Sequence, residues 1–178
     1  MEKSLNKQLE QSFRDNWDNP ALSDYNRITL HYRDVARRIE KLHIVFEQCG
    51  LQKGDKVSLC SKNQANWGVV FLATITYGAV AVPILHEFKP GNIHHIVNHS
   101  DSVLLFCSDS IFESLDENSM NEIRCSFSLS DFSVITKKEL PDGLKQVMDT
   151  MNEQFKMRYP EGLKPSDIQF KLVDNSEI

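Results

Sequence analysis

Apolar residues recur every three or four positions in two stretches near the start of the chain, the spacing that places side chains on one helix face. The first stretch runs from Leu5 to Trp17 and stops before Pro20. The second predicts the clearest amphipathic helix and carries these apolar positions: Val35, Ile39, Leu42, Phe46 and Cys49. Two short runs lie between the helices, at residues 21–25 and 27–31, and predict a small hairpin.

Continuous apolar runs then alternate with helical stretches. The runs at residues 56–60, 79–84 and 103–106 predict strands, and helices are expected over residues 64–77 and, after a break at residues 88–91, up to Asn98. Strands that are apolar throughout and separated by helices are typical of a parallel sheet covered on both faces. The predicted fold class is therefore α/β, a layered sandwich with a mainly parallel sheet flanked by helices.

The pattern weakens after about Ser108. A further strand is expected at residues 132–136, and an amphipathic helix is predicted by the apolar positions Leu144, Val147, Met148, Met151 and Phe155. Residues 159–178 contain Pro160, Gly162 and Pro165 without lasting periodicity. We therefore expect one α/β unit over residues 1–158 and an extended or poorly ordered tail over residues 159–178.

Turn and cap residues mark the element ends. Gly50 and Gly78 stand where helices need a left-handed final residue, and Lys53-Gly54-Asp55 makes a turn into a strand. Asn63 is expected to cap the following helix through its side chain. We interpret these as scaffold residues, because the glycine spacing of residues 50–54 fits no phosphate-binding motif.

Length and charge limit the class of protein. With 178 residues, 40% of them apolar, the chain can bury one core. Twenty basic and twenty-five acidic side chains give a net charge of −5 without a basic run, which argues against nucleic-acid binding. The uncharged stretch 67–85 is interrupted by Gly78 and Pro83, so we interpret it as a buried helix and strand and expect no transmembrane segment.

The four cysteines are scattered and form no C-x-x-C pair. Without a recognisable signal peptide, this usage favours free, mostly buried thiols and a cytoplasmic location. Peripheral attachment to a membrane is left open.

Candidate chemistry is sparse. His95 and His99 have the i, i+4 spacing of paired metal ligands, with His94 beside them, but a third ligand is lacking and a solvated helix face is favoured. His86 and Glu87 follow a strand at the edge where α/β sheets bind ligands, although a plain loop is the favoured interpretation. The column of Trp67, Phe71 and Ile75 is assigned to the core. We therefore assign no catalytic, cofactor-binding or metal-binding residue.

Five short sequence motifs are informative because of the order in which they occur. They are Leu30-His31-Tyr32-Arg33-Asp34-Val35, residues 50–57, Asn63 with Trp67, Gly78-Ala79-Val80-Ala81-Val82-Pro83, and Asn98-His99-Ser100-Asp101. Together they resemble the amino-terminal region of the AMP-forming (adenylate-forming) acyl-CoA synthetases, and most closely the long-chain fatty acid CoA ligases. The likeness is good over residues 5–108 and loose beyond. At the position of His31, relatives usually have Ser or Thr. That residue forms a capping box with the acidic residue three positions later, which is Asp34 in this chain.

The resemblance implies a reaction in two steps. A carboxylic acid and ATP give an acyl-adenylate and pyrophosphate, and the thiol of coenzyme A then displaces AMP. The family's Ser/Thr/Gly-rich phosphate loop should follow a segment like residues 163–167, and it is not present in this sequence. We therefore expect an inactive amino-terminal piece of a longer ligase, whose partner is its own carboxyl-terminal remainder. ATP, Mg²⁺, coenzyme A and fatty acid would serve the parent, with no cofactor in this piece.

Two alternatives stay open. The parent could adenylate another carboxylic acid, or the chain could be a freestanding, non-catalytic α/β binding module. In some relatives the loop that corresponds to Leu85, His86, Glu87 and Phe88 lies near the nucleotide end of coenzyme A. These four residues do not match the Gly-rich form of that loop, so none is assigned to a site.

Overall fold

The structure is a computed structural model that describes residues 4–170. Its helices are α1 (Leu5–Asp15), α2 (Tyr32–Gln48), α3 (Ala65–Tyr77), α4 (Pro90–His99), α5 (Asp109–Phe112), α6 (Asp142–Lys145) and α7 (Val147–Arg158). Its strands are β1 (Pro20–Ser23), β2 (Thr29–His31), β3 (Lys56–Cys60), β4 (Val80–Ile84), β5 (Ser102–Cys107) and β6 (Cys125–Ser128). Short 3-10 helices cover Glu117–Ser119 and Pro165–Asp167.

The main sheet has four parallel strands in the order β4-β3-β5-β6. Val57 in β3 lies opposite Ala81 of β4 and Leu104 of β5, so β3 is flanked on both sides. The predicted hairpin is also present, as the antiparallel pair β1 and β2. The α/β fold class and the mainly parallel sheet are confirmed.

Alternating strand residues divide the interior into two clusters. Val57, Leu59 and Phe106 belong to the large cluster, which also contains side chains of α1, α2, α3 and α7. Cys60, Leu105 and Cys107 belong to the small cluster, where Ile93 and Val97 of α4 cover them. Because successive side chains of a strand point to opposite faces, the two clusters lie on opposite faces of the sheet. All four cysteines are free and buried, as predicted.

The left-handed glycines are where the sequence places them. Gly50 ends the α2 region with φ +67° and Gly78 caps α3 with φ +89°. The Gly78 carbonyl accepts a hydrogen bond from the Gly54 N–H at 2.9 Å, which joins the end of α3 to the turn before β3. A side chain at either position would be strained, because positive φ is costly for other residues.

The predicted cap of α3 is wrong. The residue that precedes the helix is Gln64, not Asn63, and its side chain makes no capping hydrogen bond. Instead, Asp24 of the hairpin accepts a hydrogen bond from the Ala65 N–H at 2.7 Å. A residue 41 positions earlier in the chain therefore satisfies the helix start.

The strand expected at residues 132–136 is also corrected. The fourth strand of the sheet is β6, and among residues 4–170 the expected segment forms only one antiparallel bridge, between Phe127 and Val134. In β6, the buried Cys125 and Phe127 alternate with Ser126 and Ser128. This short, half-polar run lacks the continuous apolar signal of the other strands, but it places two apolar side chains on the large cluster.

The first part of the predicted tail, residues 159–170, packs against the large cluster. Residues 159–170 are mostly irregular, yet Ile168 and Phe170 are buried in the large cluster. The Phe170 ring packs edge-on against Phe13 at 5.7 Å, and the Arg14 guanidinium donates to the Ile168 carbonyl at 2.6 Å. This part of the tail therefore packs against α1. Residues 171–178 lie outside the described residues.

Candidate functional site

Two adjoining clefts open beside the carboxyl ends of β3 and β6, the side of a parallel sheet where ligands usually bind. The hairpin cleft, of about 620 Å³, is lined by residues of the β1–β2 hairpin and the start of α3: Asp24, Asn26, Arg27, Ile28, Leu30, Gln64 and Ala65. The helix cleft, of about 430 Å³, lies between α2 and α7 and is lined by Lys41, Leu42, Val45, Asp131, Phe132, Met148, Met151 and Asn152. Both are also lined by Arg38, Asn66 and Ser130.

Asn66 joins three elements at the wall between the clefts. Its amide nitrogen donates to the carbonyls of Leu129 at 2.8 Å and Ser130 at 2.9 Å, just after β6. Its side-chain oxygen accepts a hydrogen bond from the Arg38 guanidinium of α2. Since Asn66 lies in the first turn of α3, these bonds fix α2, α3 and the end of β6 relative to one another. They also hold the Arg38 cation between the two clefts.

The hairpin cleft has a carboxylate where an anion would otherwise bind. The Asp24 carboxylate accepts a hydrogen bond from the first N–H of α3. An unoccupied helix amino terminus would attract an anion to the same place. The cleft also contains the cations Arg27 and Arg38. Because the Ala65 N–H is already bonded to this carboxylate, it is not free to bind an anion in the hairpin cleft.

The helix cleft combines an apolar floor with cations. Leu42, Val45 and Met151 are buried, and Phe132 and Met148 are half-buried beside them. The charges come from α2, through Arg38 and Lys41.

Lys41 is partly buried and lies near other cations. Its ammonium donates to the Asn152 side-chain oxygen at 3.3 Å and lies 5.2 Å from the centre of the Phe155 ring. Burial lowers the pKa of Lys41, and the nearby cations Arg37, Lys156 and Arg38 lower it further.

The histidine pair does not form part of either cleft. The exposed rings of His95 and His99 stack with their centres 5.8 Å apart on α4. His94 accepts a hydrogen bond from the Asp116 N–H at 3.0 Å. Within residues 4–170, no group of three or more His, Cys, Asp or Glu side chains is arranged to hold a metal ion.

The loop after β4 is separate from both clefts as well. Leu85, Glu87 and Phe88 are exposed and His86 is half-buried, and none of them lines the hairpin cleft or the helix cleft. Within residues 4–170, His86 and Glu87 are therefore not brought into either cleft.

The thiols are unsuited to nucleophilic chemistry. Burial raises the pKa of Cys49 to about 12 and that of Cys60 to about 11. The pKa values of Cys107 and Cys125 are also raised, chiefly by burial. At neutral pH all four are protonated, and a thiol attacks only as its thiolate.

Neither Arg38 nor Asn66 was identified as a candidate site residue from the sequence. Both belong to helices whose apolar faces were recognised, and polar positions on such a helix look alike until a neighbouring element is placed against them. Asp24 carried a weak signal, since aspartate in a hairpin turn commonly accepts backbone hydrogen bonds. Nothing in the sequence connects it with the start of α3.

The membrane question has a direct structural answer for residues 4–170. The uncharged stretch 67–85 is divided between α3 and β4, and none of the helices there has the length and apolar character needed to span a bilayer.

Comparisons of this chain with family models and with curated proteins agree on one family. The sequence model described as "AMP-binding enzyme" matches residues 9–170. YdaB of Bacillus subtilis, named provisionally as an acyl-CoA ligase, is 36% identical over 89 residues, which are 50% of this chain and 18% of YdaB. Fatty acyl-CoA synthetase A of Dictyostelium discoideum is 27% identical over 92 residues, which are 52% of this chain and 14% of that protein.

Solved structures share the fold. A long-chain-fatty-acid-CoA ligase from Archaeoglobus fulgidus superposes on 99% of this chain with a TM-score of 0.71 and 18% sequence identity. The match covers 33% of that structure. The chain thus spans less than a fifth of the two curated relatives and a third of the solved structure to which it is similar.

Proposed function

Because the chain belongs to the AMP-binding enzyme family, we propose that it is the amino-terminal part of an acyl-CoA ligase that activates long-chain fatty acids. In this proposal the whole protein forms an acyl-adenylate from fatty acid and ATP and then transfers the acyl group to coenzyme A. The observation that carries it is the family match over nearly all described residues. The names of the Bacillus and Dictyostelium relatives support the acyl-CoA ligase class, and the Dictyostelium name supports a fatty acid.

Residues 1–178 contribute a scaffold in this proposal and no catalytic group. The hairpin cleft does not fit a triphosphate, because the Asp24 carboxylate already occupies the Ala65 N–H and would repel phosphate oxygens. Arg38 is hydrogen-bonded to Asn66 in the wall of that cleft. ATP, Mg²⁺ and coenzyme A are therefore assigned to the remainder of the ligase, and we derive no catalytic step from this chain. Its four free, buried thiols suit a cytoplasmic protein.

The test compares the 178-residue chain with the complete product of its gene. Each is incubated with ATP, Mg²⁺, coenzyme A and a panel of acids from acetate to palmitate, with benzoate and amino acids included, and acyl-CoA is measured by mass spectrometry. We expect palmitate to give the highest turnover with the complete product and no thioester with the short chain. Thioester made by the short chain alone would contradict the scaffold role.

Other outcomes separate the alternatives. A complete product that prefers benzoate or an amino acid keeps the ligase class and removes the fatty-acid substrate. A gene that ends after codon 178 would remove the ligase and favour the binding module. Tight binding of ATP and Mg²⁺ to the short chain in a calorimetric titration would contradict the assignment of the nucleotide site to the remainder.

A further inference from the structure

The helix cleft has two chemically different sides. Its floor is apolar, formed by Leu42 and Val45 of α2 and by Met148 and Met151 of α7. Its volume of about 430 Å³ falls within the range of small-molecule pockets, and it is larger than apolar cavities that hold a benzene-sized ligand. Methionine side chains adapt to flexible ligands better than branched ones do. The floor therefore suits an alkyl chain.

Two cations on α2 give the cleft a positive rim. Arg38 and Lys41 are three positions apart, so they lie on one side of the helix. In the part of the chain that the structure describes, each contacts a neutral amide, of Asn66 or Asn152, and neither pairs with a carboxylate. Arg37, by contrast, has an ion pair with Asp34 at 3.6 Å. Two cations that make no ion pair among the described residues, beside an apolar floor, are features that favour an anionic ligand.

The one acidic residue of the lining does not cancel this charge. The Asp131 carboxylate accepts hydrogen bonds from the Ser133 N–H at 2.9 Å and the Ser133 hydroxyl at 2.6 Å, within its own turn. It is charged, because these bonds lower its pKa. The lining of the helix cleft thus has two positive charges and one negative charge, a balance that suits a ligand with a single negative charge.

We propose that the helix cleft binds a single-chain amphiphile with a singly charged anionic head, its chain against Met148 and Met151 and its head between Arg38 and Lys41. The lining residues named above all lie within residues 4–170, and the site needs none of the catalytic groups assigned to the remainder of the ligase. Binding is therefore independent of the proposed reaction, and either proposal can fail without the other.

The chain's own methionines make a direct test. Met148 and Met151 line the helix cleft, whereas Met120 is buried in the small cluster and Met157 is exposed on α7. The 178-residue chain is labelled with [13C-methyl]methionine and titrated with decanoate in an NMR experiment. We expect saturable shifts at Met148 and Met151 and none at Met120 or Met157. No saturable shift at the first pair, or equal shifts at all four, would overturn the proposal.

The head group is tested with ligands that share the ten-carbon chain. Decyl glucoside, which is neutral, should bind at least tenfold more weakly than decanoate, and decyltrimethylammonium should give no saturable shift. Decyl phosphate takes a second negative charge near neutral pH. At a pH above that second pKa it should bind more weakly than decanoate, because the lining suits a single negative charge. Equal affinity of decanoate and decyl glucoside would refute the role of the cations.

A matched pair of lysine variants completes the test. Lys41→Gln should weaken decanoate binding about tenfold, because it removes one of the two cations at the head. Lys145→Gln removes an exposed lysine of α6 that pairs with Asp142 outside the cleft, and it should leave the affinity unchanged. Thermal melts of both variants check that the fold is retained. A folded Lys41→Gln variant with wild-type affinity would exclude the proposed head position.

Discussion

The two faces of the four-stranded sheet are covered in different ways. The large cluster receives side chains from α1, α2, α3, α7 and the segment that ends at Phe170, and residues far apart in sequence join it. The small cluster is covered mainly by α4 and the short elements that follow β5. Its strand residues include the buried serines Ser58, Ser102, Ser126 and Ser128, so this face is partly polar. Stability should therefore depend more on the first face than on the second.

The largest effect is expected from the centre of the large cluster. Phe46 is fully buried and its ring packs edge-on against Tyr77 at 5.4 Å and Phe106 at 6.2 Å. Phe46→Ala should lower the free energy of unfolding by about 4 kcal/mol. Ile93→Ala, in the small cluster, should cost about 2–3 kcal/mol. Urea denaturation of both variants measures this, and a larger loss from Ile93→Ala would reverse the proposed ranking of the faces.

The next effect concerns the long-range cap on the large face. Asp24→Ala leaves the Ala65 N–H without its acceptor and should cost about 1–2 kcal/mol. Asn63→Ala is the matched control, since Asn63 is exposed and is not the residue before α3, and its change should be close to zero. Both are measured by chemical denaturation at neutral pH. If Asn63→Ala proved the costlier change, the helix would be capped locally after all.

Two serines sharpen the picture of the small face. Ser58 donates to Ser102 at 2.7 Å in the interior, so Ser58→Ala should cost about 1 kcal/mol. The Ser126 hydroxyl is buried and has no hydrogen-bond partner among residues 4–170, so Ser126→Ala should be neutral or slightly stabilising. Differential scanning calorimetry of the two variants gives the comparison. Equal destabilisation by both would mean that Ser126 has a partner in solution.

The smallest effect is a pH dependence at the rim of the large face. Burial raises the pKa of Glu40, and the hydrogen bond that its carboxylate accepts from the Tyr159 hydroxyl at 3.0 Å offsets this in part. The folded chain therefore keeps a proton that the unfolded chain loses near pH 4.5. As the pH rises from there through the higher pKa of the folded chain, ionisation of Glu40 lowers the free energy of unfolding.

Glu40→Gln removes this titration. We expect the variant to be slightly more stable than the wild type at pH 7 and equal to it at about pH 4, as measured by urea denaturation at both values. Glu153→Gln, at an exposed position of α7, is the control and should change stability little at either pH. A Glu40→Gln variant less stable than the wild type at pH 7 would show that the charged form is favoured in the fold.

Most of the fold could be predicted because its signals are local. The i, i+4 pattern of α2 and the continuous apolar runs of β3, β4 and β5 record which faces are buried, and Gly50 and Gly78 record where helices must end. The fourth strand was missed because the serines of β6 interrupt its apolar pattern. The candidate clefts could not be predicted, since their walls come from the hairpin, α2, α3 and α7 together.

The sequence by itself determined the secondary structure of the core, the parallel sheet and, through the order of its motifs, the family. The secondary structure depends on residues a few positions apart, and the family on the order of short motifs, and the sequence records both directly. Only the tertiary structure decided that Asp24 caps α3, that Asn66 links α2 to the end of β6, and that Arg38 and Lys41 face an apolar cleft. These are contacts between distant segments, whose polar residues have no fixed partner until packing brings the segments together.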